Sequence, residues 1–240
     1  MGPSPQRYEP APVAPDAQVV RYHSGELRLS AWINAALDAE SLRPAVLYLH
    51  GEFAFRASHW EDARVFRDAG WVTMLPMLRG ENGQPGAFSL YFDEVCDVLA
   101  ACRALAATPG VDPARIYVAG HSAGGVLALL AAQTEAAFVK VACCSGWPDQ
   151  QPVIDYYPEY AVFDRDDPRE LRLRSPSRFA RSITAPTRLY YGDQEPLLAP
   201  HVWEMAARAG SLDVEAIEVA GDHFTALSPA LRRAARWFAQ

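Results

Sequence analysis

Apolar residues fall in short dense runs separated by stretches of helical spacing. Val19 to Tyr22 and Leu27 to Ile33 flank the turn-forming Ser24-Gly25-Glu26. The second run alternates through Leu27, Leu29, Ala31 and Ile33, the mark of a strand with one buried face. Ala45 to Leu49, Trp71 to Leu75, Ile116 to Ala119 and Val139 to Cys144 are nearly continuous apolar runs. Strands covered on both faces of a parallel sheet have that pattern. Thr187 to Tyr191 predicts a further strand, and Val214 to Val219 alternates as an outer one. Between the strands, helical spacing predicts Trp60 to Ala69 (capped by Gly70), Leu90 to Ala107, a small-residue helix through Leu127 and Ala132, and Val202 to Arg208. Ser228-Pro229 opens a last helix with Leu231, Ala235 and Phe238 inward. Strands alternating with helices predict an α/β fold: a doubly wound, mostly parallel sheet with helices on both faces.

Several stretches interrupt this rhythm. Residues 1–16 form a Pro-rich lead-in, expected to be mobile or laid on the surface. Residues 17–240 then make one domain. Ala35 to Arg43 reads as a polar connection, and Pro76 to Phe88 as a long, turn-rich loop. Asp93, Glu94 and Asp97 fall early in the predicted second helix, where acids suit the helix dipole and are expected on a solvated face. Asp112-Pro113 predicts a short turn before the strand that follows. An aromatic excursion spans about 147–184, with Tyr156, Tyr157, Tyr160 and Phe163. There the aromatics either line a pocket over the strand ends or anchor the excursion to the body.

Composition narrows the function classes. Half of the 240 residues are hydrophobic and 21% are charged, as in an ordinary globular domain. A formal net charge of -7 with a single lysine, Lys140, disfavours nucleic acid and anionic membranes as partners. No basic and apolar leader opens the chain, and no apolar run is long enough to span a bilayer. Cys96, Cys102, Cys143 and Cys144 show neither a disulfide framework nor metal-ligand spacing, so a reducing cytoplasm is expected. No motif calls for a cofactor or a metal.

The chemistry concentrates at predicted strand ends. Ile116 to Ala119 run into Gly120-His121-Ser122-Ala123-Gly124, followed at once by the small-residue helix. Gly-x-Ser-x-Gly between a buried strand and a helix holds a serine on a sharp turn, and a Cβ at either glycine would clash. Gly192-Asp193-Gln194-Glu195 follows a late strand, and Gly221-Asp222-His223-Phe224 follows the outer one. A serine hydroxyl needs a base to take its proton, and a histidine needs a carboxylate to fix its tautomer. Ser122, His223 and an acid are therefore the candidate catalytic residues. Glu195, one turn beyond the strand, is favoured over Asp193 as that acid. The developing oxyanion would be held by the Ala123 N–H and by a loop N–H of Glu52, with Phe53 the neighbouring possibility. His50 is expected to brace that loop. Phe53, His121, Trp147, Tyr156 and Tyr157 are the candidate pocket residues.

On these motifs the chain resembles the α/β-hydrolase superfamily, and within it the catalytic domain of the prolyl oligopeptidase family of serine peptidases. The narrower resemblance rests on Arg79-Gly80-Glu81-Asn82-Gly83, Val111 to Ile116 and Arg174-Ser175-Pro176. It implies an α/β-hydrolase fold, with Ser122 as nucleophile and His223 as base. Glu195 stands where that family commonly has aspartate, and 240 residues leave no room for the family's N-terminal propeller. Peptidase specificity is therefore not implied. The expected activity is cofactor-independent cleavage of a small-molecule ester, a small amide or a short peptide, with a non-catalytic binding protein on the same fold as the rival.

Overall fold

The computed structural model describes residues 2–10, 12–34, 41–134, 138–210 and 212–240. Its strands are β1 (Gln18–Ser24), β2 (Leu27–Ile33), β3 (Arg43–Leu49), β4 (Val72–Pro76), β5 (Val111–His121), β6 (Val141–Cys144), β7 (Thr187–Gly192) and β8 (Val214–Val219). Its helices are α1 (Ala57–Asp62), α2 (Arg64–Asp68), α3 (Glu94–Ala106), α4 (Ala123–Ala132), α5 (Gln151–Tyr156), α6 (Pro168–Arg174), α7 (Ala199–Ala209) and α8 (Leu227–Phe238). One sheet runs in the order β1-β2-β4-β3-β5-β6-β7-β8. β1 and β2 pair antiparallel, as do β2 and β4, and from β4 through β8 every pairing is parallel.

Strand alternation sorts the core into two faces. Leu47, Val118, Val141 and Leu29 meet α3 and α4 on one face. Cys143, Leu189 and Tyr191 extend that layer to α7. Val46, Tyr48, Ala119 and Tyr190 point the other way, against α1, α2 and α8. The doubly wound expectation therefore holds. All parallel strands end at one edge, where their connecting loops meet.

Some local expectations change. The helix expected from Trp60 starts earlier and breaks at Ala63, which has φ -80° and ψ 4°. The helix expected from Leu90 begins only at Glu94, because Leu90 (φ 51°) and Tyr91 (φ 68°) both take left-handed backbone that no helix continues through. Glu94 then reaches back to accept from Ser89 N–H and Ser89 Oγ, both at 2.6 Å. Nor is the acidic face solvated: Glu94 and Asp97 are 3% and 0% exposed. Asp97 is held by Arg79 at 2.7 Å, with Arg79 N–H also donating to it. The Asp112-Pro113 turn lies inside β5 as a bulge, where Asp112 accepts from Ala114 N–H at 3.0 Å. Of the predicted polar connection, residues 35–40 lie outside the described residues.

The excursion is pinned to the body by one buried cation. Arg174, 1% exposed, donates twice to Ser89 O (3.1 and 3.0 Å) and once to Glu170 Oε2 (2.5 Å). The Phe163 ring covers its guanidinium at 4.2 Å.

Candidate active site

β5 sits centrally and delivers the serine. Its last residues, Ala119, Gly120 and His121, lead into Ser122, whose φ of 51° and ψ of -116° form a sharp turn before α4. The turn requires glycines: a Cβ on Gly120 would stand 2.2 Å from Gly124 O, and one on Gly124 would stand 2.1 Å from Leu49 O. Backbone atoms cannot yield that much space.

His223 follows β8 and Glu195 follows β7. His223 Nε2 lies 3.0 Å from Ser122 Oγ, and Nδ1 lies 2.8 Å from Glu195 Oε1. The carboxylate fixes the tautomer: Nδ1–H donates to Glu195, which leaves Nε2 free to accept from the serine. Glu195 Oε2 accepts from Ser145 Oγ (2.6 Å) and Gly192 N–H (2.8 Å). Burial would raise this acid, but the hydrogen bonds from His223, Ser145 and Gly192 outweigh it and hold Glu195 below the usual range. Asp193 stands apart from the histidine ring and accepts from Gly221 N–H at 2.9 Å, tying the two loops together. Sequence reasoning missed Ser145. It follows β6 with φ 50°, and a Ser-Gly pair after a strand reads as any other turn.

The loop after β3 faces Ser122. Phe53 N–H donates to Gln6 Oε1 at 2.7 Å, so that amide is already engaged. This counts against Phe53 as an oxyanion donor. Glu52 adopts φ 63°, and its N–H makes no hydrogen bond among the described residues. Ala123 opens α4, so its N–H has no acceptor one turn back. Two free amides thus flank the serine.

A bracing layer lies behind this loop. His50 is buried, with Nε2 3.2 Å from Glu81, and its ring stacks on His59 at 4.7 Å. Burial disfavours a charged His50, but the Glu81 carboxylate more than offsets that and raises its pKa. Asn82 both donates to Phe55 O and accepts from Phe55 N–H, each at 2.8 Å. The long loop between β4 and α3 therefore serves as an ordered brace. The lead-in lies on the surface here, with Ser4 Oγ donating to Phe53 O.

A cleft of about 1220 Å³ opens over Ser122. Phe53, His121, Trp147, Tyr156 and Tyr157 all line it, as does Tyr160. Tyr156 is 76% exposed. The rings form a continuous wall: Tyr156 on Tyr157 (4.5 Å), Tyr157 on Tyr160 (5.2 Å) and Tyr160 on Phe53 (5.1 Å). His121 also has a structural task, its Nε2–H donating to His223 O at 2.9 Å. Its burial pushes its pKa down to about 4. Among the described residues no cluster of His, Cys, Asp or Glu could hold a metal, and no helix is long and apolar enough to cross a membrane.

An open-edged parallel sheet, a serine on a strand-to-helix elbow and an acid–histidine pair on the last two strand loops define a hydrolase of the α/β type. The model of the alpha/beta hydrolase family matches residues 46–239, and the chain belongs to that family. A search of curated proteins finds no match. Among solved structures the chain is similar to the acylaminoacyl peptidase of Pyrococcus horikoshii, with TM-score 0.75 and 17% identity over 92% of this chain and 40% of that one. It is also similar to a puromycin-hydrolyzing peptidase of Mycobacterium tuberculosis, with TM-score 0.76 and 21% identity over 93% and 39%. A third likeness is to an esterase of Pyrococcus furiosus, with TM-score 0.74 and 18% identity over 99% and 94%. The chain spans about 40% of the length of the first two. At these identities the likeness is one of fold, and it agrees with the resemblance drawn from the sequence motifs.

Proposed function

We propose that the chain is a serine hydrolase that cleaves a carboxylic ester or a small amide through an acyl-enzyme on Ser122. The observation that carries this reading is the relay from Ser122 to His223 to Glu195, with contacts of 3.0 and 2.8 Å on a strained elbow. Ser122 Oγ attacks the carbonyl carbon as its proton passes to His223 Nε2. The oxyanion gathers the N–H groups of Glu52 and Ala123. Glu195 stabilises the imidazolium, which then protonates the leaving alkoxide or amine. Water enters, gives its proton to His223 and attacks the acyl carbon. The collapsing intermediate releases the acid and returns the proton to Ser122. The aromatic wall favours substrates with an apolar or aromatic group beside the scissile bond.

A fluorophosphonate probe tests the reading. The wild type should label, and Ser122→Ala and His223→Ala should not. An ester and an amide sharing one aromatic acyl group then set the leaving-group preference. A folded wild type that stays unlabelled would sink the proposal and favour a non-catalytic binding protein on this fold.

A further inference from the structure

The left-handed conformation of Glu52 needs an explanation. A residue with a side chain rarely holds φ 63° unless its surroundings impose it. Contacts from outside β3 hold the Gly51-Glu52-Phe53 turn, most of them from the lead-in.

Gln6 grips two successive residues of the turn. Its Oε1 accepts from Phe53 N–H at 2.7 Å, and its Nε2 donates to Glu52 Oε2 at 2.8 Å. The first contact fixes the plane of the Glu52–Phe53 peptide. The second fixes the direction of the Glu52 side chain. Both contacts are made with Glu52 left-handed, and its N–H has no hydrogen bond among the described residues. Arg56 Nε also pairs with the same Glu52 oxygen, 2.9 Å away. Ser4 Oγ bonds Phe53 O, so both polar groups of the Phe53 backbone are held from the lead-in. The lead-in is itself anchored on the brace loop: Ser4 N–H donates to Gly80 O at 2.9 Å, and Phe88 N–H donates to Gly2 O at 2.8 Å.

We propose that Gln6 is a positioning residue for the oxyanion loop, holding Glu52 in the left-handed conformation that points its N–H at the reacting carbonyl. This rests on the serine-hydrolase reading above. Gln6 lines the rim of the cleft and makes no hydrogen bond to Ser122; its grip on the loop acts through the backbone of Glu52. A donor held in this way acts on the oxyanion as it forms, so Gln6 governs chiefly the rate of the chemical step.

The test uses the full chain and a short aromatic ester, with kcat and KM measured separately. Gln6→Ala should lower kcat by about 10- to 100-fold, somewhat less than outright loss of an oxyanion donor, with KM within about threefold of wild type. Gln6→Glu should be at least as slow, because it sets a second carboxylate against Glu52. Adding Glu52→Gln to Gln6→Glu rebuilds the grip with the partners exchanged: the new carboxylate accepts from Phe53 N–H and from the new amide at position 52. That double variant should recover about tenfold or more in kcat over Gln6→Glu alone. Amide hydrogen exchange at Phe53 should quicken in Gln6→Ala and slow again in the double variant.

A Gln6→Ala enzyme with kcat within about twofold of wild type overturns the proposal and leaves the serine-hydrolase reading standing. A double variant as slow as Gln6→Glu also overturns it, because Gln6 would then be a general structural contact. A wild type that neither labels nor turns over overturns both.

Discussion

Two acids sit two residues apart after β7 and do different jobs. Glu195 receives three hydrogen bonds, from His223, Ser145 and Gly192 N–H. Asp193 receives one, from Gly221 N–H. Glu195→Gln would turn a donor toward Gly192 N–H or Ser145 and remove the charge that steadies the imidazolium. Its kcat should fall by roughly 10³- to 10⁴-fold. Asp193→Asn keeps an oxygen for Gly221 and should stay within about threefold of wild type. Steady-state kinetics of the two variants on one ester checks this, and equal losses would reverse the assignment. The sequence could rank these acids by their distance from the strand end. It could not show Ser145, whose role depends on β6 and β7 lying side by side. Gln6 was equally hidden, in a lead-in whose prolines speak only of extended chain.

At the level of elements, the elbow was legible because its geometry leaves few choices. A strand and a helix crossing within van der Waals contact demand glycine at both crossing points, and Gly120 and Gly124 supply it. Gly124→Ala drives a Cβ into Leu49 O and so pushes the start of α4 away from β3. It should cost about 3 kcal/mol or more, lower the thermal midpoint by roughly 6–12 °C, and abolish probe labelling. A variant of wild-type stability would contradict the close approach of α4 to β3. The start of α3 was not legible. Helical spacing continues back to Leu90, but the left-handed Leu90 and Tyr91 stop the helix, and Ser89 replaces the lost turn by bonding Glu94. The same Ser89 carbonyl takes both bonds from Arg174, so one residue joins the excursion to α3. The burial of Glu94 and Asp97 follows from their partners, Ser89 and Arg79, which lie outside the helix and are invisible to its periodicity.

For the whole molecule, the strand rhythm foretold the sheet, since β3 to β8 are each joined by a helical crossover and must run parallel. Stability should fall in acid. The folded pKa of His121 is depressed to about 4 by burial, so below the ordinary value near 6.5 the unfolded chain binds a proton that the folded chain refuses. Stability should drop progressively between those values, by up to about 3 kcal/mol from this residue. Glu195 acts in the same sense: its contribution is present above the ordinary carboxylate value and is lost as pH falls through its lowered one. His50, raised by Glu81, works the other way and loses its contribution as pH rises. His59, pushed down to about 2 by burial, acts in the same sense as His121. Thermal midpoints at pH 7 and pH 4.5 for wild type and His121→Gln isolate the His121 share, and an equal drop in both would contradict it. Lys140 is the chain's single lysine, and it precedes β6 at the edge of the sheet opposite the cleft, with Nζ donating to Trp237 O at 2.7 Å. A reagent selective for side-chain amines therefore meets one residue, at the sheet edge opposite the Ser122 elbow. The protein tethered to a bead through that amine would present its cleft outward, toward the passing solution.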